Sequence, residues 1–161
     1  ECEFGFRLIG ELRPSGAPLS ANVLADKLAF HPAIELAGSH YAPGTGNRAV
    51  TTFDAIADNG TSGAAVLAPA VEDWQGLPFE TLAIDARIDD SPPIQAYGGA
   101  YRRNPVDIVA ETFNDLMARG VALPPGTIVL TGSLTLPTPI RAGQSVTVRF
   151  ADLAPFSLTM I

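Results

Sequence analysis

The chain has one cysteine, one lysine and no apolar run of membrane-spanning length. The single Cys2 excludes an internal disulfide framework and leaves a reducing, cytoplasmic compartment as the simpler reading. Lys27 is the only lysine and Arg102-Arg103 the only adjacent basic pair. No cationic patch of the kind that neutralises phosphates is therefore present, and a formal net charge of −7 argues against a nucleic-acid partner. Every hydrophobic run is broken by Gly, Pro or a charge within about a dozen residues, short of the ~20 a spanning helix needs, so no membrane partner is expected. Neither a signal-peptide pattern nor an initiator Met opens the sequence, and the chain is expected to be processed or a fragment.

What is present is a chain of 161 residues with 47% hydrophobic content, enough for one domain over residues 1–161 with a core of its own. Fifteen Gly and fourteen Pro punctuate many short apolar alternations, which predicts an α+β, β-rich domain with frequent turns. Strands are expected over residues 3–9, 33–41, 79–88, 127–133, 145–150 and 156–161, with a further apolar run at 64–67. Residues 94–97 are expected to pair with 79–88 as a hairpin across 89–93, and residues 141–144 to turn between two of the last strands. One helix is expected over 20–29, ended by His31-Pro32 because the residue before a proline is pushed out of the helical region. A second is expected over 104–119, with Asn104 as N-cap, Pro105 at the first position, Asp107 in the first turn and Gly120 as the stop. Its stripe of Val106, Val109, Phe113, Leu116 and Met117 reads as core. Residues 41–52, with Pro43, Gly44, Gly46 and Asn47, read as a loop, and 55–63 as turn-rich.

Glu1-Cys2-Glu3 heads the run Phe4-Gly5-Phe6-Arg7-Leu8. In a strand both carboxylates face one way while Phe4, Phe6 and Leu8 face the other. That pattern fits either the wet face of a half-buried strand or two hard ligands for a cation. Glu35 sits in the otherwise apolar stretch Ala33-Ile34-Glu35-Leu36-Ala37, where a carboxylate needs a cation or several donors, or reaches water or Arg7 at the strand edge. The three together form an oxygen-only set suited to Mg²⁺ or Mn²⁺ rather than to zinc or copper.

Four segments then occur in a recognisable order: Glu1-x-Glu3, Pro32-Ala-Ile-Glu35-Leu-Ala-Gly-Ser39, Ala55-Ile-Ala-Asp-Asn-Gly-Thr-Ser-Gly63 and Gly126-Thr-Ile-Val-Leu-Thr-Gly-Ser133. Across nearly its whole length the chain resembles the C-terminal domain of the fumarylacetoacetate hydrolase superfamily, and within it the 2-oxopent-4-enoate hydratase and 4-oxalocrotonate decarboxylase branch. The resemblance implies a mixed β-sandwich or roll with two main helices. It implies a divalent metal, Mg²⁺ or Mn²⁺, held by Glu1, Glu3 and Glu35 and chelated by a small 2-oxo acid substrate. The activity implied is that of a lyase hydrating the vinyl group of a 2-hydroxydienoic acid through a metal-stabilised enolate, with decarboxylation as the alternative. Asp58, Asn59 and Ser62 match residues lining the family's pocket, although Asp-Asn-Gly is strong turn chemistry in its own right. Thr131, Gly132 and Ser133 match the strand end that approaches the substrate carboxylate, or form a plain β-turn.

The branch usually carries an acid and an Arg where this chain has Gly38 and His40. His40 is a candidate acid or base alongside Asp58, or a surface hydrogen-bonding residue. Arg48 is the only cation of the loop that follows. Relatives carry an N-terminal portion, with an acid/base lysine, before the first two glutamates, and it is not seen here. Three further possibilities therefore stand: a partner chain supplying that portion, a non-catalytic scaffold subunit, and the fold reused for another reaction on a dicarbonyl compound. A homo-oligomer is expected, since the family assembles through this domain.

Overall fold

The computed structural model describes residues 1–15, 17–41 and 51–161. The loop expected over 41–52, with Arg48, lies outside these from residue 42 to 50. Among the described residues, seven strands form two antiparallel sheets. The first contains β1 (Cys2–Leu8), β2 (Leu28–Ala37), β3 (Ser62–Leu67) and β5 (Ile128–Leu130) in the order β3-β2-β1-β5. The second contains β4 (Ile84–Ile88), β6 (Ser145–Phe150) and β7 (Phe156–Thr159) in the order β4-β6-β7. Three α-helices accompany them among the described residues: α1 (Ala21–Ala25), α2 (Thr52–Ala57) and α3 (Pro105–Ala118).

The core follows from the alternation in β1. Phe4, Phe6 and Leu8 are buried, and Phe4 and Phe6 pack with Phe30, Trp74, Phe79 and Phe150. The Phe4 and Phe79 rings meet edge-on with centroids 4.9 Å apart, the geometry that aligns a positive ring edge with a negative face. Buried Arg102 lies over the Phe4 ring and donates to the Phe79 and Leu82 carbonyls, tying that irregular segment to β1. α3 buries Val106, Val109, Ala110, Phe113 and Met117, with Asn104 Oδ1 accepting from Val106 N as the cap requires.

Several expectations need correction. The helix expected over 20–29 is only five residues long, and β2 begins at Leu28 and runs through His31-Pro32. Leu24 and Leu28 fit helical spacing, but Leu28, Phe30 and Ile34 fit the period of a strand, and pairing with β1 along its whole length decides the matter. Proline is tolerated because its nitrogen faces Ala68, beyond the last ladder pair with β3. The Ala68 carbonyl, opposite a nitrogen with no proton to give, instead lies 2.8 Å from His31 Nδ1. The strand expected over 79–88 is regular only over Ile84–Ile88, because Phe79 and Leu82 are buried from turns. Residues 94–97 form no hairpin across 89–93. Apart from Ile94 N on Ala86 O, they bond to residues 134–136. α2 lies where a turn was expected, and α3 is the only helix among the described residues longer than six residues.

One irregularity shapes the site end of the first sheet. Leu36 pairs with Ala64 and Ala37 with Ser62, so Gly63 is the extra residue of a bulge. A Cβ there would stand 2.8 Å from the Leu36 carbonyl oxygen, which explains the glycine. Gly63→Ala is expected to destabilise the chain by about 1–3 kcal/mol in chemical denaturation, because the backbone must shift to admit it. Gly10→Ala, which meets nothing within 4 Å, is expected to stay within about 0.5 kcal/mol of the parent.

Candidate metal centre

Antiparallel register brings the three glutamates together. Glu3 lies opposite Ala33. One step past the last ladder pair, Glu1 and Glu35 exchange both backbone bonds, Glu1 N to Glu35 O at 2.9 Å and Glu35 N to Glu1 O at 2.8 Å. Glu1, Glu3 and Glu35 therefore share the sheet face opposite the aromatic core, and each offers an oxygen within 4.8 Å of the others. The small Ala33 and Ala65, opposite Glu3 and Glu35, leave the carboxyls room. Glu3 is 2% exposed, so the wet-face reading of this strand does not hold at its centre.

The segment after β5 closes over Glu3. Thr131 N donates to Phe4 O and Leu134 N to Cys2 O, and between them Gly132 N donates to Glu3 Oε2 at 2.7 Å. Gly132 has φ +99°, a conformation L side chains rarely adopt, and so a glycine aims its amide into the carboxyl. Burial first, then a hydrogen bond shared with Glu35 and repulsion from Glu35 and Glu1, push the Glu3 carboxyl up to about 8, while the Gly132 amide pulls the other way. Without a cation the cluster thus holds a proton. The donor set is all carboxylate oxygen, three potential negative charges meet at one point, and a hard divalent cation is the partner that relieves them: the residues fit Mg²⁺ or Mn²⁺.

The other candidates occupy different places. Asp58 is buried after α2, where Ser39 Oγ donates to Oδ2 at 2.6 Å, and His40 N and Nδ1 lie 2.7 and 2.9 Å from Oδ1. These donors, Ser39 first, hold the Asp58 carboxyl below the usual carboxylate range. Asp58 braces the turn at the end of β2 and holds the His40 ring, a side chain that is 71% exposed. Asn59, Gly60 and Thr61 all have positive φ, and Ser62 opens β3 beside the bulge. Thr131, Gly132 and Ser133 line a cleft of about 260 Å³ with Tyr101 and Arg103. Glu1 and Glu35 instead open into a cleft of about 440 Å³. The Gly132–Glu3 hydrogen bond is the link between the two. Sequence reasoning missed Ser39 as the Asp58 partner, and it missed residues 137–140 and Met160, which line the larger cleft. The run Pro137-Thr138-Pro139 was the available signal, since it can be neither helix nor ladder.

The fold is a strand-rich α+β one that matches structural neighbours of the fumarylacetoacetate hydrolase type, as the resemblance implied. More particularly, the chain is similar to 4-oxalocrotonate decarboxylase. It is 26% identical over 161 residues to that enzyme from Pseudomonas sp. (strain CF600), covering 100% of this chain and 59% of the relative. It is 25% identical over 130 residues to the Pseudomonas putida enzyme, covering 81% of this chain and 48% of the relative. The chain thus spans at most about three fifths of the length of these curated relatives. The solved structure of 4-oxalocrotonate decarboxylase from Pseudomonas putida G7, complexed with magnesium and adipate, superposes with a TM-score of 0.78 at 22% identity, covering 100% of this chain and 59% of the other, which shows a shared fold. No protein-family model matches the chain.

Folding keeps a proton on Glu3 that the unfolded chain gives up near 4.5. The contribution of Glu3 to metal-free stability is therefore expected to be full below about 4.5 and to be lost as pH rises through about 8. Thermal melts in chelator across that range measure this. Mn²⁺ should flatten the slope by replacing the proton, and Glu3→Gln should flatten it in the absence of metal. By the same linkage, Mn²⁺ affinity should rise with pH up to about 8.

Proposed function

We propose that this chain is a divalent-metal-dependent lyase domain, residues 1–161, acting on a small 2-oxo acid by hydration of a vinyl group, with decarboxylation as the second reading. The observation that carries the proposal is the three-carboxylate cluster. The second reading is favoured by the similarity to 4-oxalocrotonate decarboxylases along the whole chain. Glu1, Glu3 and Glu35 would hold Mg²⁺ or Mn²⁺, which when bound supplies Lewis-acid stabilisation of negative charge developing on the substrate. Glu3 gives up its proton to ligate, and the Gly132 amide keeps one of its oxygens oriented.

His40 is proposed as the proton carrier. Its Nδ1 is tied to a buried, ionised Asp58, which leaves Nε2 to exchange a proton with substrate, the arrangement that makes an imidazole an oriented acid or base. Asn59, Ser62, Thr131, Gly132 and Ser133 are proposed as surroundings of the substrate, supported by the Ser62, Thr131 and Ser133 hydroxyls, the Asn59 carboxamide and the Gly132 contact with Glu3. Assembly as a homo-oligomer, or with a chain supplying further pocket residues, is supported by Phe53 and Ile56 on α2, 83% and 68% exposed.

The test follows solvent deuterium entering C3 of 2-oxopentanoate by NMR in the presence of Mn²⁺. Exchange above the rate with Mn²⁺ alone is expected, and Glu35→Gln should lower it by at least about a hundredfold. His40→Gln should lower exchange about 10²-fold or more while leaving Mn²⁺ affinity unchanged. With 2-hydroxypenta-2,4-dienoate, loss of the diene absorbance marks hydration. With a 2-oxo diacid, release of CO₂ marks decarboxylation. A chain that takes up no Mn²⁺ removes the proposal.

A further inference from the structure

Among the described residues, the buried carboxyl and guanidinium groups are those of Glu3, Asp58 and Arg102. Asp58 has the His40 ring beside it. Glu3 and Arg102 have no salt-bridge partner among the described residues. Glu3 meets the Gly132 amide and two further acids. Arg102 donates to the Phe79 and Leu82 carbonyls, and its guanidinium carbon stands 5.5 Å from the centre of the Phe4 ring. Its Nε, also buried, has no hydrogen-bond partner. A guanidinium taken out of water with no acid beside it carries a large desolvation cost. Methionine would lie on Phe4 without that cost, but it would not supply the charge.

The two unpaired groups are neighbours through β1. Phe4 follows Glu3 in the strand and points to the opposite face, so Arg102 lies on the core side of the residue next to the buried glutamate. Both ends of that path are shielded from solvent, and a charge there is screened far less than at the surface. The other cations are placed differently. Arg7 is exposed and bonded to His31, Arg103 is paired with Glu111, and Lys27 is exposed.

We propose that Arg102 is the counter-charge of the glutamate cluster, a positioning residue that acts across β1 from the core side. It offsets part of the repulsion among Glu1, Glu3 and Glu35, opposes a cation bound to them, and favours an anion that joins that cation. The last two effects rest on the metal-centred reading above, whereas the first needs no metal. Three carboxylates around a dication keep a net negative charge and repel an anionic ligand. A fixed cation behind the strand lowers that barrier at the expense of some metal affinity.

The test is calorimetric titration of the full chain carrying Arg102→Met or Arg102→Lys. Arg102→Met is expected to bind Mn²⁺ roughly three- to tenfold more tightly and, once loaded, to bind oxalate more weakly by a similar factor, in about 0.5 M salt as in dilute buffer. Arg102→Lys, which keeps the charge, should lie nearer the parent on both counts. A merely structural role would weaken both ligands together, and that result overturns the inference, as does an Arg102→Met variant with parental affinities. Urea denaturation without metal gives a second measurement. The loss of midpoint caused by Arg102→Met should be smaller in a Glu35→Gln background, where one acid of the cluster is neutral. An equal loss in both backgrounds overturns the inference. If Arg102→Met alone does not fold, Glu35→Gln should restore folding, and failure to do so overturns it as well. A parent chain that takes up no Mn²⁺ removes the metal reading and leaves the denaturation cycle to decide this one.

Discussion

Three carboxyl groups converge on one point of a sheet face, and the fold holds them there against their mutual repulsion because β1 is paired on both edges. An edge strand could relieve the strain by fraying. β1 has β2 on one side and β5 on the other, and its opposite face is sewn into the aromatic core, so it cannot yield without breaking both. The energy that crowds the acids comes from hydrocarbon burial on the other side of the same strand. The proton held by Glu3 is the chemical record of that opposition, and a hard cation is the other way of settling it.

The same register separates functions along one face. Toward the glutamate end, small residues on β2 and β3 leave space. Toward the other end, Gly5 lies opposite His31, whose ring lies between the Ala68 carbonyl and the Arg7 guanidinium. A Cβ on Gly5 would stand 3.2 Å from the His31 carbonyl oxygen and 3.3 Å from the Ala33 Cβ, so a glycine there lets β1 and β2 approach closely just below Glu3. The site therefore owes its shape as much to absent side chains at Gly5, Gly63 and Gly132 as to the carboxylates themselves.

What was legible in the sequence was what local chemistry decides. α3 announces itself through Asn104, Pro105 and its stripe, and β1 and β6 through clean alternation. Period two puts Glu1 and Glu3 on one face, whereas the place of Glu35 beside them came from the resemblance and follows in the structure from the pairing of β2 with β1. What was not legible depends on distant partners. Pro32 reads as a breaker until β2 is known to outrun β3. α2 buries no residue, so no apolar period marks it, although Thr51 and Asp54 form a capping box that is visible in the sequence. Gly63 looks like one more turn glycine, and only the bulge shows that the Leu36 carbonyl requires it.

All three proposed ligands come from two adjacent strands, and the amide that orients the buried one comes from a third strand's end. Cation binding on this reading needs nothing beyond the first sheet, whereas proton transfer draws on a loop attached to it, the Ser39-His40 turn braced by Asp58. Loops tolerate exchange far better than a doubly paired central strand. On the proposed reading, Gly38 and His40 lie in the part of the site that decides which reaction follows, and the glutamates in the part that decides where charge is stabilised. Change of reaction at constant metal chemistry is what such a division of labour between sheet and loops permits.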